Sequence, residues 1–300
     1  MKVLKSGINY IPKGENLLSN GLEFILDNKL WSYSCLESFE NCHYYWYLNY
    51  IVLKRSEESG CFAEFGSLGH SLLEAYLKGK LFSFELADKF TEEYKEQVPD
   101  TFPPVRGERL YDKYYDQGLE YFADTDRVEK LTDTYEILGV EDDNKFHIEN
   151  YKFTGKLDAE CKNIKTGELE LLDHKSKSAQ HKKRLMKKTD HSEWLQLEDG
   201  RYVPRKLFHQ QYLYCIPFKN KFGEYPKYLN LNMFRINDWY KLKFNEKDFE
   251  IAKQWAIDTI KEIYNECEWK PTKDGTDFFC QYLCSGSPFC KYSPNYIGEK

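Results

Sequence analysis

Two strand-like segments, Phe153 to Cys161 and Glu168 to Lys175, flank a turn at Ile164-Lys165-Thr166-Gly167 and read as a hairpin. If Asn163 pairs with Glu168 across that turn, Asp158 lies directly opposite Asp173, with Cβ atoms about 5 Å apart. Side chains alternate along a strand, so Lys175 shares a face with Asp173. Facing carboxylates repel and weaken a sheet. A divalent cation between them removes that cost, and hard oxygen ligands suit Mg²⁺ or Mn²⁺. A lysine beside such a metal helps to deprotonate or position a water, and the metal stabilises charge on a phosphate oxygen. The plain alternative is a solvated surface hairpin whose charges do nothing.

The rest of the chain reads as helices around this hairpin and a few more strands. Trp31 to Ile51 is expected as one aromatic-rich helix, with Ser34 and Glu37 spaced as a capping box. A second helix is expected from Ser67 to Lys78, stopped by Gly79. Residues 80–135 read as a charged, Tyr-rich helical insertion broken at Pro99, Pro103 and Pro104. A helix is expected over His209 to Ile216, a strand over Tyr228 to Ile236, and an amphipathic helix over Asn245 to Cys267. A chain of 300 residues with 17% aromatics has enough material for a core and is not disordered. No apolar run approaches the roughly 18 residues of a membrane span. Met1 to Tyr10 is charged and broken by Gly7, so it is expected to be no signal peptide. A cytoplasmic protein without a membrane partner is expected, in the host cytoplasm if it is phage-encoded.

His70 and Glu74 are four apart on the second helix and share a face, as do Gln210 and Tyr214 on theirs. Each pair alone also fits an ordinary polar patch. In order, the chain carries Trp31 to Cys42, Phe65-Gly-Ser-Leu-Gly-His70 with Glu74, Gly155-Lys-Leu-Asp158, Asp173-His-Lys175, Gln210-Gln-Tyr-Leu-Tyr214 and a C-terminal Cys cluster. This series, spanning roughly 30 to 290, resembles the RecB/AddB-type branch of the PD-(D/E)XK nucleases. That branch also holds the CRISPR-associated RecB-like exonucleases. The resemblance implies a single restriction-endonuclease-like α/β domain over 1–300. Its parts would be a central mixed sheet flanked by helices, the insertion at 80–135 and a Cys-rich clasp at 269–300. It implies that His70, Asp158, Asp173 and the backbone carbonyl of His174 hold the metal, that Lys175 acts on the attacking water, and that Gln210 and Tyr214 support the lysine and contact DNA. Glu74 would have a support role.

Nine cysteines is an odd number, which points away from a disulfide framework. Cys280, Cys284 and Cys290 are spaced C-x3-C-x5-C, and three thiols this close are hard to explain as packing. Free thiols and a zinc site with four cysteine ligands are the alternatives that the residues themselves leave open. The resemblance implies that Cys42 joins these three around a 4Fe–4S cluster, four thiolates being the usual ligand set. The family spacing is C-x2-C-x5-C, one residue shorter, and Cys35 is an alternative to Cys42. Cys61, Cys161, Cys215 and Cys267 are expected to be structural.

The net charge of −6 gives no general affinity for nucleic acid, so any such surface must be local. Lys175, Lys177, Lys182, Lys183, Arg184, Lys187 and Lys188 form a run without an acidic residue. Past Lys175, these residues are a candidate DNA track of phosphate contacts, or else a solvated loop. The expected function is metal-dependent DNA cleavage, exonucleolytic and on single strands or duplex ends. The expected setting is recombination, repair or phage DNA metabolism, with a helicase or recombination protein as a possible partner. The alternatives are a non-cleaving DNA-binding subunit and an RNA-directed nuclease of the same fold.

Overall fold

The computed structural model describes residues 20–53 and 60–297, so Met1 to Tyr10 lies outside the described residues. In chain order the elements are α1 (Asn20–Asp27), α2 (Tyr33–Asn41), α3 (His43–Tyr47), α4 (Cys61–Leu77), α5 (Leu86–Gln97), α6 (Leu110–Ala123) and α7 (Thr125–Thr134). Then follow β1 (Tyr135–Ile148), β2 (Tyr151–Asn163), β3 (Leu169–His174), β4 (Trp194–Gln196), β5 (Tyr202–Pro204), α8 (His209–Phe222), β6 (Tyr228–Met233), β7 (Asp238–Lys243) and α9 (Glu246–Asn265). Among the described residues two compact units result: one from 20–53, 60, 147–154 and 253–297, the other from 61–146 and 155–252.

A five-stranded sheet has the order β1-β2-β3-β6-β7. β2 runs antiparallel to β3, β3 parallel to β6, and β6 antiparallel to β7. This is the mixed sheet with flanking helices expected of a restriction-endonuclease-like core. Parallel strands need a long crossover, and α8 lies within the one between β3 and β6. The hairpin has the expected register: Ala159 pairs with Leu172 and Cys161 with Glu170, and Asn163 N–H donates to the Glu168 carbonyl at 2.8 Å. One step along the same register from Ala159 and Leu172 brings Asp158 to Asp173.

The insertion breaks near its prolines between α5 and α6 and again at Asp124, which caps α7, and these helices build core rather than decorate it. Phe90, Tyr94, Tyr121, Phe122 and Leu131 pack with Phe65, Leu68 and Leu72 of α4 and with Ala159, Cys161 and Leu172 of the hairpin. At about 25 cal/mol per Å² of apolar area, layers of this kind supply the main stabilisation of a domain.

Three readings of the sequence need correction. The helix expected over Trp31 to Ile51 is not continuous: Cys42 is extended (φ −165°, ψ 116°) and separates α2 from α3. Its Sγ accepts from Tyr45 N–H at 3.5 Å, so Cys42 ends one helix and caps the next. The cap of α2 is Ser32, whose Oγ accepts from Cys35 N–H at 3.2 Å, not Ser34. Strands β1, β4, β5 and β7 form where the sequence carries no strand expectation. No helix among the described residues is long and apolar enough to cross a membrane.

Candidate active site

The second unit holds a line of polar side chains across β2, β3, α4 and α8. Gly69 lets α4 approach closely: a Cβ there would run into the Phe234 ring. The next residue, His70, thereby reaches β2, and its Nδ1 lies 3.2 Å from Asp158 Oδ2. The same carboxylate oxygen accepts from the backbone N–H of His174 at 2.7 Å. On β3, Asp173 is 3% exposed. Lys175 Nζ lies 3.0 Å from its Oδ1 and 2.7 Å from its Oδ2. Lys175 Nζ also donates to Gln210 Oε1 at 2.7 Å, and Gln210 Nε2 donates to the Tyr214 hydroxyl at 3.2 Å. Tyr214 lies against Gly155, where a Cβ would collide with its ring. The glycine that opens Gly155-Lys-Leu-Asp158 is therefore the seat of the last residue in the Lys175–Gln210–Tyr214 chain.

Burial pushes both carboxyls upward, but the neighbours separate them. At Asp158 burial is outweighed by His70, with His174 and Lys175 adding, and the group is held well below the ordinary carboxylate range. At Asp173 burial prevails over Lys175, and Asp158 adds its repulsion, so the group is pushed up to about 6. Burial lowers Lys175, but Asp173 and Asp158 outweigh it and keep the ammonium charged. His174 is pulled down to about 3 by burial and is neutral. Asn232 Nδ2 lies 3.0 Å from the His174 Nδ1 and also donates to the Tyr121 hydroxyl at 2.7 Å.

The donors fit a hard divalent ion. Among the described residues, one nitrogen of His70 and one oxygen each of Asp158 and Glu141 lie within 4.8 Å of one another. The carboxylates suit Mg²⁺ or Mn²⁺, and the single imidazole, a softer donor, favours Mn²⁺ of the two. Glu141, on β1, was not singled out in the sequence; the acidic run Glu141-Asp142-Asp143 was its only signal. Glu74 is drawn instead to Lys78, at 2.6 Å.

Of the basic run, Lys182, Lys183, Arg184, Lys187 and Lys188 are exposed, as is Lys177. The run is not a simple loop. Lys182 exchanges backbone hydrogen bonds with Tyr202 at 2.7 and 2.8 Å, which attaches it beside the β4–β5 hairpin, and its Nζ sits 4.3 Å from the centre of the Trp194 ring.

In the other unit, Cys42, Cys280, Cys284 and Cys290 line one cavity with Tyr45, Leu48 and Phe279. Burial pushes the Cys284 thiol up to about 12, and the Cys42, Cys290 and Cys280 sulfurs add to it. The Cys280 and Cys290 thiols are raised too, by burial first and by neighbouring sulfurs second, a cost that a bound cation would relieve. Cys35 is directed elsewhere: its Sγ accepts from Trp46 Nε1 at 3.2 Å.

A mixed sheet carrying an Asp–Asp–Lys constellation on adjacent antiparallel strands defines a class of phosphodiesterases. The chain belongs to the PD-(D/E)XK nuclease superfamily, whose family model matches residues 30–291. Members of this superfamily hydrolyse phosphodiester bonds and use divalent metal ions. No curated protein matches the chain.

Proposed function

We propose that this chain is a metal-dependent DNA nuclease of the RecB/AddB-like branch, acting as an exonuclease on single strands or duplex ends as one domain. The observation that carries the reading is the pinned lysine. Lys175 Nζ is held between Asp173 and Gln210, and Gln210 is held in turn by Tyr214. An ammonium has three donors, and two are used here, leaving one for an attacking water or a phosphate oxygen. His70, Asp158 and Asp173 would hold Mg²⁺ or Mn²⁺, with the His174 carbonyl as a further ligand. The ion would supply Lewis-acid stabilisation of charge on the phosphate. The fixed groups need little reorganisation as charge develops, which is where most catalytic electrostatics arises.

Oligonucleotide turnover with Mn²⁺ tests this. DNA shortening from an end is expected. RNA cleavage in preference to DNA, or DNA binding without cleavage, would replace the reading with an RNA-directed enzyme or a binding subunit. Lys175→Ala is expected to lose turnover by about 10²-fold or more, a typical effect for a group acting on proton transfer, while Mn²⁺ still binds by calorimetry. Joint loss of binding and rate would make the lysine structural.

The exposed basic run beside β4–β5 supports a DNA track through Lys177, Lys182, Lys183, Arg184, Lys187 and Lys188. Replacement of Lys182, Lys183 and Arg184 by Ala is expected to weaken single-strand binding and flatten its salt dependence. Each lost phosphate contact changes the log–log slope by roughly 0.7. An unchanged slope would make the run a solvated surface.

The four cavity thiols are proposed to hold a 4Fe–4S cluster. Four thiolates lining one cavity match the usual ligand set of such a cluster, and a zinc site with four cysteine ligands is the alternative.

A further inference from the structure

We propose that Glu141 is an additional protein ligand of the divalent ion, aimed into the site by a left-handed residue in the edge strand β1. The inference rests on the nuclease reading above and adds to it a residue outside the hairpin, α4 and α8.

The first observation is proximity. A Glu141 carboxylate oxygen lies within 4.8 Å of both a His70 nitrogen and an Asp158 oxygen. Asp173 is drawn to the Lys175 ammonium at 2.7 Å. The mixed donor set that converges within 4.8 Å among the described residues is His70, Asp158 and Glu141.

The second observation is how Glu141 gets there. Its φ is +57°, a backbone conformation that residues other than glycine rarely adopt. In a regular strand Glu141 and Asp142 would point to opposite faces. Asp142 Oδ2 lies 2.7 Å from Lys221 Nζ of α8, which also pairs with Glu160, while the Glu141 carboxylate lies near His70 of α4 and Asp158. The left-handed torsion falls in β1 at the residue beside those two donors. Left-handed irregularities of this kind re-aim side chains and recur beside active sites. A surface ion pair would not require one.

The third observation is the counter-ion. Lys156 precedes Asp158 by two on β2, and its Nζ lies 2.5 Å from Glu141 Oε2. The lysine side chain is 51% exposed and that of Glu141 only 11%. Lys156 can therefore swing to solvent while the glutamate stays in place. On this view Lys156 neutralises Glu141 when no ion is bound and competes with the ion for it.

Mn²⁺ binding to the full chain, read by calorimetry and by the paramagnetic resonance of free Mn²⁺, tests the assignment without relying on turnover. Glu141→Gln is expected to raise the Mn²⁺ Kd about tenfold, and Glu141→Asp by less. Lys156→Met is expected to bind Mn²⁺ at least as tightly as the parent, because a competing cation is gone. Parental affinity in Glu141→Gln would overturn the proposal. So would weakening in Lys156→Met equal to that in Glu141→Gln, since the pair would then merely brace β1. If Glu141→Gln fails to fold, Glu141→Asp decides, parental affinity there overturning the assignment. Asp158→Asn is the control for the underlying reading: undiminished Mn²⁺ binding in that variant would dismiss the metal site itself, whereas failure of Glu141 alone leaves it standing.

Discussion

Asp173→Ala is expected to abolish phosphodiester cleavage while the chain stays folded. Asp173 is buried on β3 opposite Asp158, and its carboxyl is pushed up to about 6 by burial and by that neighbour. Its removal takes away a proposed metal ligand and the anchor of Lys175, but also a repulsion between two buried anions. The two effects act on different observables. Loss of a metal contact and of a fixed lysine removes several kcal/mol of transition-state stabilisation; at 1.36 kcal/mol per tenfold, the rate falls by about 10³-fold or more. The fold loses little, because Lys175 keeps Gln210 and Leu171 and Leu172 keep the strand in the core. Rates with Mg²⁺ and Mn²⁺, set beside a thermal melt, check both halves. Full activity in Asp173→Ala would remove this carboxylate from the chemistry.

The same two strands show why the site was legible. Strand alternation and one turn residue pair put Asp158 opposite Asp173 with Lys175 on the same face, and positions four apart put Gln210 and Tyr214 on one helix face. Their roles in a site were implied by the family resemblance, since spacing alone fits an inert hairpin and an ordinary polar patch equally. What could not be read depended on tertiary contacts. The β1 segment Glu141-Asp142-Asp143-Asn144 has residues depleted in strands, and only pairing with β2 makes it one. The left-handed backbone at Glu141 is a torsion that no pattern of polar and apolar residues encodes. Likewise, nothing in the run of aromatics after Trp31 announces a break at Cys42. The break puts that thiol into the cavity with Cys280, Cys284 and Cys290, whereas a continuous helix would have left Cys35 and Cys42 equivalent.

That break leads to the second large effect: Cys284→Ser is expected to lower the melting temperature by about 5 to 10 °C with little change in chemistry. A cluster bridging Cys42 to the C-terminal thiols closes a loop of roughly 240 residues, and closing a loop of that size restricts the unfolded chain by on the order of 5 kcal/mol. For a chain this long, unfolding entropy of about 2.1 cal/mol/K per residue converts that loss to roughly 8 °C. The effect belongs to stability because hydrolysis needs no electron. Activity below the melt should therefore persist, falling only as the fold fails. Cys42→Ser, Cys280→Ser and Cys290→Ser should behave alike, while Cys35→Ser should not, since its sulfur pairs with Trp46. Iron and zinc analysis of protein purified without oxygen, together with its colour, identifies the occupant. A brown protein with about four irons per chain is the expected result, and a colourless one with a single zinc would keep the clasp but change its metal. Neither metal, combined with a Cys284→Ser melt equal to that of the parent, would reduce these thiols to packing residues.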